Sequence, residues 1–149
     1  MLDTQQYQRI LIAIDGSESA EKAFNTAIKI AKINESELII AHVFDMNAHA
    51  LGMVDTNRGK MENILKEYKL KAEEYKIKKV QTILAEGTPK IVLAKEMPNE
   101  YYVDLIITGK TGLNVVERWM LGSVSEYIIR NAPCDVLIVR NFEPIMENS

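Results

Sequence analysis

The sequence predicts an α/β protein, a parallel sheet with helices on both faces. Three observations predict it. Short β-branched runs alternate with longer stretches whose apolar residues recur at helical spacing, and this strand–helix unit repeats along the chain. The strand runs are almost uninterrupted in their apolarity, as strands covered on both faces must be. Glycine, serine and proline fall where a strand must end or a helix begin. At 149 residues the chain has the size of one domain (1–149) with a sizeable core. Residues 1–8 and 142–149 are expected to be loose termini.

The elements follow in order. Arg9 to Asp15 reads as the first strand, and Gly16-Ser17-Glu18-Ser19 turns it into a helix. Ala20, Ala23, Phe24, Ala27, Ile28 and Ala31 make that helix's apolar face. Glu18 and Glu21 near its start and Lys29 and Lys32 near its end suit the macrodipole, and Asn34 is a stop signal. Leu38 to Phe44 reads as a central strand. His42 inside it is expected to be packed and hydrogen-bonded rather than catalytic. Residues 45–58 show no period and read as a long loop, a feature that tends to be functional or disordered. His49 and Asp55 within it lack convergent metal-ligand spacing, so no metal ligands are assigned. Met61, Ile64, Leu65, Tyr68, Ala72 and Tyr75 form a second helical stripe. The mixed charges between them, with Glu62-Lys66 and Glu67-Lys71 at i,i+4, describe a solvated face. Val80 to Glu86 reads as the third strand. Gly87-Thr88-Pro89 then supplies a break, an N-cap and a first-turn proline for a helix expected to stop before Pro98.

The last third, residues 105–139, carries the chemistry. Leu105-Ile106-Ile107-Thr108 is a buried strand ending at Gly109, and Gly112, Gly122 and Ser123 come after it. Ser123 and Glu126 have capping-box spacing, so the fourth helix is expected to start at Ser123. Asn131 and Pro133 close it before the fifth strand, Asp135 to Val139. A strand leading through glycines into a helix N-terminus is a place to hold phosphate. Glycine lets backbone approach an anion, and the unpaired N–H groups of the first turn favour negative charge. Ser123 and Ser125 would add hydroxyls and Lys110 a point charge. From spacing alone, the glycines could equally serve only as turns and Ser123 only as a cap. Gly109-Lys110-Thr111 imitates the end of a Walker P-loop, but the required first glycine would fall at Asp104 and strand fills the gap, so a P-loop NTPase is excluded.

Composition narrows the function classes. A formal charge of −3 argues against a dedicated nucleic-acid binder. No apolar run approaches the roughly 20 residues that span a bilayer, and the polar N-terminus lacks a signal-peptide core. One cysteine, Cys134, leaves no internal disulfide and reads as a semi-buried structural thiol. These features fit a cytoplasmic protein.

Gly109-x2-Gly112-x9-Gly122-Ser123, with Asp104 to Gly109 before it and Asn131 to Val139 after it, resembles the nucleotide-binding signature of the universal stress protein family. The likeness runs from Arg9 to Arg140. It implies a Rossmann-like open five-stranded parallel sheet of order 3-2-1-4-5. Such a sheet has a switch point between strands one and four, where Asp15 and Gly109 would meet. The family's ATP-binding branch implies that Thr108, Gly109, Lys110, Gly112, Gly122, Ser123, Val124 and Ser125 hold ribose and phosphates. Asp15 would face a base or sugar donor, or act through a metal, and Ala13, Ile14 and Val43 would flank the base. The implied ligand is ATP, or ADP or AMP, with Mg²⁺ as the phosphate counter-ion. A homodimer through the apolar fifth strand, Asp135 to Val139, is implied as well.

The expectation is therefore an ATP-binding universal stress protein, regulatory rather than enzymatic. The alternatives are a slow ATPase or nucleotidyl-transfer enzyme, with Asp15 the one evident base, and a dimeric interaction module without ligand. The sequence shows no Ser–His–Asp set, paired carboxylates or zinc spacing in the evident site, so no catalytic residue is assigned.

Overall fold

The computed structural model describes residues 6–47, 58–110 and 121–140. Their order is β1 (Arg9–Ala13), α1 (Glu18–Asn34), β2 (Glu37–Asp45), α2 (Arg58–Glu74) and β3 (Val80–Gly87). Next come a helical stretch α3 over residues 89–100, β4 (Leu105–Gly109), α4 (Ser123–Asn131) and β5 (Asp135–Val139). The five strands form one parallel sheet of order β3-β2-β1-β4-β5, as expected. Connections through α1 and α2 carry the chain outward from β1 to β3. The chain then returns through α3 to the other side of β1 and goes on through α4 to β5. Right-handed crossovers in opposite directions place their helices on opposite faces.

Side-chain alternation along the strands builds a core on each face. Ile10 and Ile12 of β1, Leu38 and Ile40 of β2 and Leu105 and Ile107 of β4 pack with Phe24, Ala27 and Ile28 of α1 and Met61, Leu65 and Ala72 of α2. The intervening Leu11, Ile39, Ala41, Val43 and Ile106 pack with Val92, Leu93 and Met97 of α3 and Ile128 of α4. Register is pinned at the strand entrances, where the Asp104 carboxylate accepts the backbone N–H groups of Gln8 (2.8 Å) and Arg9 (2.9 Å). α1 starts as expected. The Ser17 hydroxyl accepts the Ala20 N–H (3.1 Å), and the helix ends at Asn34 with Glu35 in the left-handed conformation (φ 55°).

Three sequence expectations meet a different outcome. α3 does not stop before Pro98 but runs on through Met97–Glu100. Residues Val92–Glu96 are π-helical, and the Met97 N–H donates to the Val92 carbonyl five residues back. A proline in an α-helix leaves the carbonyl four residues earlier without a donor and clashes with it. Widening one turn ahead of Pro98 accommodates that residue and keeps the helix going. Second, α4 starts at Ser123 as expected, but without the capping box. Gly122 is the N-cap, without a side-chain bond, and Ser123 is the first helical residue. Glu126 does not reach back: its carboxylate pairs with Arg130 at 2.9 Å. Third, the first strand ends at Ala13 rather than Asp15, although Ile14 still donates its N–H to the Ala41 carbonyl (2.8 Å). Most of the 45–58 loop lies outside the described residues, as do Gly112 and the two chain ends.

Candidate functional site

The strand order reverses between β1 and β4, and a cleft of about 320 Å³ opens there at the carboxyl ends of the strands. This is where open α/β sheets bind ligands, and the volume is at the lower end of small-molecule sites.

Ala13, Ile14 and Asp15 enter the cleft wall as β1 gives way to the turn before α1. Gly16 has φ 87°, a conformation that side chains with a Cβ rarely adopt, and it lets the chain double back. The Ser17 N–H then donates to Asp15 Oδ1 at 2.9 Å. The carboxylate is thus fixed by its own turn and stays partly exposed. Ser17 and Ala20 of the α1 start also line the cleft.

β2 supplies Ala41, His42 and Val43. The His42 Nδ1 lies 2.6 Å from the Ile14 carbonyl. Its ring meets Phe44 edge-on with centroids 4.8 Å apart. The expectation of a packed, hydrogen-bonded histidine holds, and the residue lines the cleft as well. Pro89 and Leu93 of α3 and Val124 of α4 add apolar lining to that of Ala41 and Val43.

β4 and α4 add Thr108, Gly109, Gly122, Ser123 and Ser125 to the lining. The Ser125 hydroxyl is buried and donates to the Gly109 carbonyl at 2.8 Å, tying the start of α4 to the end of β4. The Lys110 carbonyl accepts the Gly122 N–H (2.9 Å) and the Lys110 N–H donates to Val139 (3.0 Å). Residues 110 and 122 are therefore held side by side. The Glu126 N–H already bonds Gly122. The first-turn N–H groups of Ser123, Val124 and Ser125 have no partner within the helix, and these residues border the cleft.

Of the twelve residues expected from the sequence, ten come together in this cleft: Ala13, Ile14, Asp15, Val43, Thr108, Gly109, Gly122, Ser123, Val124 and Ser125. Lys110 is not among the lining residues, and Gly112 lies outside the described residues. Ser17, Ala20, Ala41, His42, Pro89 and Leu93 line the cleft without having been singled out. Ser17 and Pro89 carried helix-start signals that hid a second role. Ala41 and Leu93 carry no polar mark that sequence reading could use.

Asp15 is the one charged side chain among the described lining residues. Among the described residues no group of three or more His, Cys, Asp or Glu could hold a metal ion. Cys134 sits at the other end of the sheet, just before β5. Burial, reinforced by Asp104 and Asp135, pushes its thiol up to about 11. No helix among the described residues is long and apolar enough to cross a membrane.

Comparison with known proteins agrees with this architecture. The profile of the universal stress protein family matches residues 6–140. A relative from Staphylococcus haemolyticus that carries the universal stress protein name is 43% identical over 143 residues, covering 92% of this chain and 87% of its own. The solved structure of a universal stress protein in complex with cAMP superposes with TM-score 0.73 at 29% identity, covering 91% of this chain and 98% of that one. The universal stress protein UspA from Lactobacillus plantarum gives TM-score 0.82 over 92% of this chain and all of its own; at 24% identity that likeness is one of fold. By its profile, its relatives and its fold, the chain belongs to the universal stress protein family.

Proposed function

We propose that this protein binds an adenine nucleotide in the cleft between β1 and β4 and acts as a nucleotide-dependent regulator. ATP is the leading ligand, with ADP and AMP sharing its adenosine and α-phosphate contacts. The observation that carries the reading is the mixed lining of the cleft. Apolar Ala41, Val43, Leu93 and Val124 suit a base. A helix N-terminus bordered by Gly122, Ser123 and Ser125 suits phosphate. Asp15, the charged side chain among the described lining residues, suits ribose hydroxyls. A related protein solved in complex with cAMP supports an adenine nucleotide as the ligand. Mg²⁺ would accompany the phosphates as their counter-ion, with Asp15 the described carboxylate nearest to that task. A regulator is favoured over an enzyme, because one lining carboxylate, already accepting the Ser17 N–H, is a poor general base for a water. The unit at work is the single domain 1–149, cytoplasmic and paired with a second copy through β5.

Calorimetry with ATP and Mg²⁺, together with the nucleotide content of the freshly purified protein, tests this. The wild type should bind. Asp15→Asn keeps the acceptor for Ser17 and removes the charge, and it should weaken binding about tenfold or more. Val124→Trp should fill the cleft and abolish binding, with circular dichroism and thermal unfolding recorded to show that the fold survives. A wild type that carries no nucleotide and binds none would overturn the assignment.

A further inference from the structure

The geometry points to His42 as the positioning residue of the Asp15 corner. A backbone carbonyl only accepts, so the 2.6 Å contact between His42 Nδ1 and the Ile14 carbonyl requires the proton on Nδ1. The N–H of the same residue 14 donates to the Ala41 carbonyl at 2.8 Å. Residue 14 is thus clamped to β2 through both its backbone groups, one by main chain and one by the imidazole. This is one residue beyond the last ladder pair, Ala13 with Ala41. Without the imidazole, the Ile14 carbonyl would lose this partner and residue 14 would keep only its N–H bond to Ala41.

The clamp matters because it borders the Asp15 turn. Asp15 comes next, then Gly16 at φ 87°, then the Ser17 N–H that bonds Asp15 Oδ1. The direction of the carboxylate depends on the residue 14 peptide on one side and on the Gly16 turn on the other. His42 fixes the first of these. The imidazole is itself supported edge-on by Phe44, over whose ring the Arg58 guanidinium lies 4.9 Å from the centroid. Arg58 is held in turn by the Glu86 carboxylate. Four side chains from β2, α2 and β3 therefore hold one backbone carbonyl next to the cleft. His42 acts through Ile14 and needs no contact with ligand. Such outer partners can alter a site's affinity as much as its direct contacts do.

The inference rests on the nucleotide reading for its affinity readout only. Two variants of nearly equal shape make the test. Leucine at 42 removes the donor, whereas asparagine places an amide N–H₂ close to where Nδ1 stands. Amide hydrogen exchange by NMR and nucleotide calorimetry would be measured on wild type, His42→Leu and His42→Asn. With His42→Leu, exchange at Ile14 and Ser17 should quicken about tenfold relative to the core amides of Leu11 and Ile12, and nucleotide affinity should fall by up to about tenfold. With His42→Asn, both should return to within about threefold of wild type. Uniformly faster exchange throughout β1, or equal behaviour of Leu and Asn, would assign His42 to packing alone and overturn the proposal. If the wild type binds no nucleotide, the ligand assignment fails by itself, and the exchange rates at Ile14 and Ser17 still decide whether His42 sets the corner.

Discussion

Cys134 shows how burial decides the chemistry of a residue. A thiol reacts as its thiolate, and half-burial, with Asp104 and Asp135 nearby, pushes this one up to about 11. Alkylation by iodoacetamide at pH 8 should therefore be slower than that of a free thiol and should accelerate only as the pH nears 11, monitored by mass spectrometry. Rapid labelling of the folded protein at pH 8 would contradict the environment described. The same shift has a sign for stability. The folded pKa is raised above that of the unfolded chain, so between about 9 and 11 the folded state binds more protons, and stability falls as pH rises through that window. Ser125 makes a related point for the polar residues of the cleft. Its hydroxyl hydrogen goes to the Gly109 carbonyl, so in the proposed site its backbone N–H is the donor left to face a phosphate. Sequence spacing identifies a serine at a helix start but does not tell whether its hydroxyl faces a ligand or a neighbouring strand.

Among the elements, α1 and β4 meet at close range. A Cβ at Gly109 would stand 2.1 Å from the Ser19 hydroxyl and 2.8 Å from the Ser19 carbonyl oxygen. The hydroxyl could rotate away, but the backbone oxygen could not. Gly109 is thus required by the close approach of the first turn of α1, before any ligand is considered. Gly109→Ala should destabilise the protein by about 1–3 kcal/mol, seen as a lower urea midpoint with an unchanged slope. Gly59→Ala, near the start of α2 where an added Cβ meets nothing within 4 Å, should be neutral or stabilise by up to about 1 kcal/mol. Equal midpoints for the two variants would argue against the packing role. A sequence reading finds a glycine at the end of a strand in either case. It does not find the helix turn pressed against it, because that contact joins residues 90 positions apart. The π-helical turn in α3 escapes for a similar reason. Proline announces a stop, and only the packing of Val92, Leu93 and Met97 against the sheet shows what keeps the helix going beyond it.

At the level of the whole molecule, the parallel sheet was legible because two-sided burial leaves apolar runs such as Leu38 to Val43 that no other fold position explains. The strand order came with the family signature, and the meeting of Asp15 with Gly109 followed from that order rather than from either residue. What stayed hidden were the apolar lining positions Ala41 and Leu93, which look like any other core residues. The same sheet leaves one consequence at its rim. β5 is an edge strand, bonded to β4 on one side, and Val136 to Val139 are all partly exposed. Val136 packs against one core and Leu137 and Val139 against the other, whereas among the described residues Ile138 belongs to neither cluster. A charge-free apolar edge is a template for pairing with another chain, and a second copy of β5 would cover Ile138. Light scattering coupled to sizing at micromolar concentration should therefore give twice the chain mass. Ile138→Lys, which places a charge on the edge as natural proteins do to keep strands apart, should shift the protein to monomer and leave its circular dichroism unchanged. A wild type that runs as a monomer across that range would remove β5 pairing from the proposal without touching the cleft, since no lining residue belongs to β5.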